Sequence, residues 1–249
     1  MGRRRQLFFG ESERIMTKKE LYEILKERFE QVLKEHQIEN DHLSVSCHAL
    51  TPEEAIGKTK RTDYPILTGK DVMIQAEYKG VKGQAFTDAP STFEGMLEDI
   101  LQMDIEHNPH DRGIFIATMN AVLVSLGMCK GTVHCRKEGP ELCAQDMKQF
   151  LETNYPDVQK IALVGFQPSL LEMLSKSKYE VRVMDLNPNN IGQVKSGICV
   201  EDGNVMKEEI RDSYAELILC TGSTLCNGSI VDYLNLDTEV LFFGTSASG

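Results

Sequence analysis

The densest concentration of groups able to hold a ligand is Thr221-Gly222-Ser223-Thr224-Leu225-Cys226-Asn227-Gly228-Ser229. Glycines leave backbone N–H groups open, and Thr221, Ser223 and Asn227 add hydroxyl and amide groups that can stabilise an anionic ligand. Gly244-Thr245-Ser246-Ala247-Ser248-Gly249 has the same character. Each loop follows a short apolar run, Leu217–Thr221 or Val240–Gly244, that reads as a buried strand. Ligands in open α/β sheets bind outside the carboxyl ends of parallel strands. Either loop alone could be an ordinary turn. Two at matching strand ends favour a site.

A second corner lies at Val164-Gly165-Phe166-Gln167-Pro168-Ser169, with Asp185 closing the next strand. A glycine turn, a helix N-terminus and an acid about 20 residues on resemble a nucleotide site. The G-x-G-x-x-G fingerprint is absent, and Phe166 would crowd a pyrophosphate, so a nicotinamide site is disfavoured. A methyltransferase-like use needs less glycine and stays open. His134, Cys135 and Cys143 could give soft ligands to a transition metal. Their spacing matches no standard zinc pattern. His107 and His110 flank a proline-containing loop and could contribute. The alternative is surface histidines and inert thiols. Asp63, Asp88 and Asn120 complete the polar candidates. Asn120, inside Ile-Ala-Thr-Met-Asn-Ala-Val, needs a partner for its amide, either a helix-packing hydrogen bond or a ligand contact.

The elements that must position these residues change in kind along the chain. Thr17 and Glu20 form a capping-box pattern ahead of a helix to about His36, with Leu21, Ile24, Leu25, Phe29, Val32 and Leu33 at helical spacing. His42–Leu50 reads as a strand, 51–70 as a long loop, and Asp71–Tyr78 with Val81–Phe86 as a hairpin about Lys79-Gly80. A helix capped by Ser91 through Phe93 to Leu101, a deeply buried one over Gly113–Leu126 and a third from Pro140 to Glu152 follow. Then Lys160–Gly165, Glu180–Asp185, Leu217–Thr221 and Val240–Gly244 alternate with helical segments Ser169–Ser175 and Ile230–Leu234. That grammar means a parallel sheet covered on both faces. The fold class is therefore α/β. The expected organisation is a loose arm at 1–16, an α+β domain at 17–153 and a parallel-sheet domain at 154–249.

Composition narrows the function. The 249-residue chain carries 38 acidic against 27 basic residues, a formal net charge of -11. That charge repels phosphate backbones and disfavours a nucleic-acid partner. No apolar run is long enough to span a membrane, and no secretion signal is evident, which points to a cytoplasmic location. The 7 cysteines are scattered, so free thiols are expected, most of them small core residues. No Ser-His-Asp arrangement, P-loop or metalloprotease motif is visible.

Arg112-Gly113-Ile114-Phe115-Ile116-Ala117-Thr118-Met119-Asn120-Ala121, the Val164-Gly165-Phe166 turn, the Thr221–Ser229 segment and Gly244-Thr245-Ser246 together resemble the putative heavy-metal chelation family. The similarity spans nearly the whole chain after the first helix. It implies a small α+β enolase N-terminal-like domain joined to a Rossmann-like domain. It also implies a cleft between them that takes a pterin-, flavin- or siderophore-like heterocycle or a metal complex, with condensation or hydrolysis as the reaction. On this chain the implied cleft residues are Asn120, Gly165, Thr221, Gly222, Asn227 and Gly244. The residues themselves add Phe166, Asp185, Ser223, Thr245 and Ser246 as ligand contacts and Asp88 as acid or base. The cofactor is left open, with a transition-metal ion as the candidate. Thr245 stands where many relatives have proline, and the chain stops within that loop. Two other readings remain: a non-catalytic metal carrier using His134, Cys135 and Cys143, and an S-adenosylmethionine-dependent methyltransferase. A homodimer is compatible with all three readings.

Overall fold

The structure is a computed structural model that describes residues 16–41, 45–59, 61–67, 72–132 and 135–249. Residues 1–15 of the expected N-terminal arm, and His134, lie outside the described residues. Helix α1 (Lys18–Glu35) opens with the expected capping box: Thr17 accepts from the Glu20 N–H, and Glu20 accepts from the Thr17 N–H. Strand β1 (Val45–Ala49) leads to α2 (Pro52–Ile56), then to strands β2 (Val72–Tyr78) and β3 (Val81–Thr87). The hairpin turn has Lys79 at φ 51° and Gly80 at φ 77°, the two left-handed positions of a two-residue turn that matches strand twist.

The 51–70 stretch is not a featureless loop. Thr51 caps α2 with a second capping box, Pro52 sits in its first turn, and Pro65–Leu67 makes a 3-10 turn. The helix expected from Phe93 also differs. Phe93–Gly95 is a short strand, β4, paired antiparallel to β1, and α3 (Leu97–Gln102) begins only afterwards. Cross-strand pairing with β1 took Phe93 out of the helix, while Leu97 and Ile100 keep their helical spacing in α3.

Helix α4 (Pro109–Ser125) starts four residues before the expected Gly113, because Asn108 accepts from the His110 N–H and Pro109 occupies the first turn. Gly113 to Val122 are all buried. The helix lies so close to β3 that a Cβ on Gly83 would overlap the Ala117 and Ala121 backbone. Phe115 packs edge-on against Phe29 of α1, centroids 5.4 Å apart. The antiparallel sheet runs β3-β2-β1-β4. The α+β half expected from the sequence is thus present.

The second sheet is built from β5 (Lys160–Val164), β6 (Glu180–Asp185), β7 (Val194–Lys195), β8 (Ile198–Asp202), β9 (Leu217–Thr221) and β10 (Glu239–Phe243), in the order β10-β9-β5-β6-β8-β7. All neighbours are parallel except the β7 edge. One face is covered by α5 (Gly139–Asn154) and α6 (Pro168–Ser175), through Ala144, Leu151, Leu170, Leu171 and Leu174. The other is covered by Ile210 and Tyr233, which follow α7 (Gly203–Glu209) and α8 (Ser223–Asn227) respectively. α5, which precedes the expected boundary, packs on this sheet. No helix among the described residues is long and apolar enough to cross a membrane.

Candidate functional site

Taken in chain order, the five parallel strands stand 5-4-1-2-3 across the sheet. The chain leaves β5 in one direction and returns on its other side with β9, so the two carboxyl ends flank a topological switch point, where such sheets bind ligands. Gly165 and Thr221 occupy those ends. Gly165 has φ +87°, and a Cβ there would overlap Thr221 Cγ2. Its N–H donates to Met184 O at 2.8 Å. Glycine here is a requirement of backbone shape and of Thr221's methyl.

Asp185 is occupied by its own surroundings. Its carboxylate accepts from the Phe166 N–H at 2.9 Å, the Asn187 N–H at 2.7 Å and Asn190 Nδ2 at 3.1 Å. It fixes the turn after β5 and lines the cleft with its side. The expected Thr221–Ser229 loop is in fact the short helix α8. Thr224 Oγ1 donates to Thr221 O at 2.6 Å, and Thr221 Oγ1 lies 3.3 Å from Ser223 Oγ. The Gly222 N–H donates to Phe243 O at 2.6 Å, which ties α8 to the end of β10.

The N-terminal half holds this apparatus from the other side. The last carbonyls of a helix have no partner within it, and here three donors meet them. Tyr22 Oη donates to Leu225 O at 3.0 Å, Arg112 Nη1 to Cys226 O at 3.1 Å and Lys18 Nζ to Asn227 O at 3.1 Å. The Arg112 guanidinium lies over the Tyr22 ring, 4.5 Å from its centroid. Gly228, at φ +78°, leaves room for the Tyr22 hydroxyl, which would stand 2.8 Å from a Cβ there. Beyond β10, Ser246 Oγ accepts from the Phe86 N–H at 2.8 Å. Asn120 Nδ2 shares its two hydrogens among Gln84 O at 2.9 Å, Thr245 O at 3.1 Å and Ser246 O at 3.2 Å.

Between the halves lies a cleft of about 990 Å³. Its floor is the carboxyl edge of the parallel sheet: Val164–Pro168, Met184–Pro188, Thr221–Asn227 and Phe243–Ser246 contribute lining residues. Tyr64–Ile66 and Phe86–Asp88 form the opposite wall. Tyr64 Oη is 2.8 Å from Ser169 Oγ and donates to Glu141 at 3.1 Å, and burial pushes its phenol up to about 12. Cys226 lines the cleft too, but burial raises its thiol to about 12, so it stays protonated and is a poor nucleophile. Thr245 is 7% exposed, lines the cleft, and its Oγ1 has no protein hydrogen-bond partner. The Oγ1 itself is covered, as are the Thr118 Oγ1 and Asn120 Oδ1 atoms, which likewise have no protein partner.

Asp88, Gly165, Phe166, Asp185, Thr221, Ser223, Asn227, Gly244, Thr245 and Ser246 all line this one cleft. Gly222 and Asn120 do not. Gly222 is buried beneath the loop, and Asn120 acts from behind it by holding Thr245 and Ser246. Asp63 is paired with Arg61, whose Nε and Nη2 reach its carboxylate at 2.9 and 2.7 Å. His107 contacts Asp104 and Glu106, and His110 lies 3.2 Å from Pro90 O. Neither histidine lines the cleft. Cys135 and Cys143 do, but they are joined as a disulfide, which corrects the expectation of free thiols there. In that state neither can ligate a metal as thiolate. Among the described residues no three His, Cys, Asp or Glu side chains converge as a metal cage. Sequence reasoning missed Lys18, Tyr22 and Arg112, because their partners are backbone carbonyls far along the chain.

The comparisons with known proteins bear on this half of the molecule first. Residues 150–248 match the family model DUF364, putative heavy-metal chelation. The matched segment carries the parallel sheet and every cleft loop after α5. No curated protein matches the chain. A crystal structure of a protein with unknown function from the DUF364 family of Pyrococcus horikoshii is similar over 89% of this chain and 78% of its own, at 14% identity and TM-score 0.51. The likeness shows a shared fold across both halves. A DUF364 protein of Desulfitobacterium hafniense aligns over 89% of this chain and 80% of its own, at 12% identity and TM-score 0.45.

Proposed function

We propose that this chain binds a small heterocyclic or metal-complex ligand of the pterin, flavin or siderophore kind in the cleft between its two sheets, as part of heavy-metal or chelator metabolism. The observation that carries the reading is the convergence of Gly165, Thr221, Ser223, Gly244 and Ser246, from the ends of β5, β9 and β10, on this one cleft. Phe243 at the end of β10 pairs with Thr221, which brings the last loop beside the Thr221 and Ser223 hydroxyls. The apolar part of the wall, Tyr64, Ile66, Phe86 and Phe166, suits a flat ring system. The family description of the matched segment supports the metal side of the reading. A metal that arrives inside a chelator brings its own donors, so the cleft need supply only contacts to the chelator.

Replacing Ser223 with Ala removes a half-buried hydroxyl from a residue that lines the cleft. Its contact with Thr221 Oγ1 is long, at 3.3 Å, so folding stability is expected to change by less than about 1 kcal/mol. Binding of the ligand found by a calorimetric screen of pterins, flavins and ferric chelates is expected to weaken about tenfold, the loss of roughly one hydrogen bond. Unchanged affinity would mean that Ser223 is not part of the site. Asp88, exposed at the rim, is the candidate acid or base for turnover. Asp88→Asn is expected to lower kcat and leave the dissociation constant of that ligand unaltered. A change confined to binding would remove Asp88 from the chemistry.

A further inference from the structure

At the mouth of the cleft, Cys135, Cys143 and Met147 line one stretch of wall. Cys143 and Met147 lie four residues apart on α5, so they share a helix face. Cys143 is exposed and Cys135 half-buried, which leaves the pair open to a soluble reductant. The turn carrying Cys135 is anchored: the Lys137 N–H donates to Ile56 O at 2.6 Å, and the Gly139 N–H to Arg136 O at 2.8 Å. The two sulfurs are near enough to be joined, so after reduction one cation can reach both.

The donor set selects the cation. Two thiolates and a thioether are soft, and no third His, Cys, Asp or Glu joins the pair among the described residues. Structural zinc needs four nitrogen or sulfur ligands. Monovalent copper and its d10 analogues accept fewer, and thiolate with thioether favours them. We propose that the reduced Cys135–Cys143 pair, with the Met147 thioether, is a site for a soft monovalent cation such as Cu(I) or Ag(I), and that disulfide formation closes it. In reduction a dithiol donates two electrons and two protons. The S–S bond breaks, two thiols form, and the reductant leaves as its own disulfide. Cation binding then displaces the thiol protons to solvent. The site adjoins the ligand cleft but does not depend on what that cleft binds.

The test uses the full chain, reduced with dithiothreitol, desalted without oxygen and titrated with Ag(I) and with Cu(I) against a coloured competing chelator. The reduced protein is expected to take up one equivalent with sulfur-to-metal absorption in the ultraviolet, and the oxidised protein to lack that equivalent. Cys135→Ser with Cys143→Ser is expected to abolish that equivalent. Met147→Leu, which keeps the volume of the side chain, is expected to weaken binding without changing the circular dichroism. Retention of the same equivalent at the same affinity in the double variant would overturn the proposal and point to Cys129 or Cys199. So would reduced wild-type protein that binds without thiolate absorption. Affinity of the organic ligand, measured on the same samples with Ser223→Ala, reports separately on the cleft.

Discussion

Replacing Gly165 with Ala tests the switch-point geometry most directly. At φ +87° an L side chain costs about 1–2 kcal/mol. The new Cβ would also overlap Thr221 Cγ2 and stand 3.0 Å from Thr221 Cβ. Overpacking of that order costs about 1–3 kcal/mol. The sum, about 2–5 kcal/mol, is a large part of the roughly 5–15 kcal/mol that holds a protein folded. Thr221→Ser deletes the overlapping methyl and leaves the hydroxyl. Alone it should cost under about 1 kcal/mol, the worth of one half-buried carbon. In the serine background Gly165→Ala should lose its overpacking cost and retain only the backbone cost. The coupling between the two sites is therefore expected at about 1–3 kcal/mol. Urea unfolding of the four proteins, followed by far-ultraviolet circular dichroism, completes the cycle. If Gly165→Ala costs the same in both backgrounds, within about 0.5 kcal/mol, the Gly165–Thr221 contact does not shape this corner.

Two other perturbations follow from the same structure. Asn120→Ala deprives Gln84, Thr245 and Ser246 carbonyls of a shared buried donor. We expect a loss of about 2–4 kcal/mol and faster hydrogen exchange over 245–248, and normal exchange there would refute the clamp. Arg61 ties Asp63 to Glu172 of α6. Its hydrogen bonds hold the Asp63 carboxyl below the ordinary 3.8, and Lys176 together with Arg61 holds Glu172 below 4.5. Depressed carboxyl values stabilise the fold above the ordinary range, and that contribution disappears as pH falls through the lowered values. Both carboxylates are about a third exposed, so the pairs are worth about 1 kcal/mol or less. The stability gap between wild type and Arg61→Ala should therefore narrow as pH falls below about 4. A gap constant from pH 7 to pH 2.5 would show that the ion pairs contribute nothing.

Local signals carried much of the fold. The capping box at Thr17 and Glu20, the Lys79-Gly80 hairpin and the apolar runs ending at Val164, Thr221 and Phe243 are short-range patterns, and the chain follows each of them. The loops after β9 and β10 were legible as the lining of a cleft for the same reason: glycines and hydroxyls directly after apolar runs mark where strands end. Residues 186–216 were less legible. β8 pairs with β6 beside the middle of the sheet, yet Ile198–Asp202 alternates too weakly to announce a strand. Phe93–Gly95 reads as helix until β1 offers it a partner.

The sequence by itself determined which residues could meet a ligand, because hydroxyls, glycines and strand ends are properties of short segments. It also determined the parallel sheet, because only burial on both faces explains such continuous apolar runs. Tertiary structure decided how those residues converge. It placed β5 beside β9, so that Gly165 and Thr221 share one corner. It set Asn120 behind the last loop rather than in the cleft, and set Tyr22, Arg112 and Lys18 against the end of α8. It also joined Cys135 to Cys143. Those contacts depend on distances in space between segments far apart along the chain, and no local spacing encodes them.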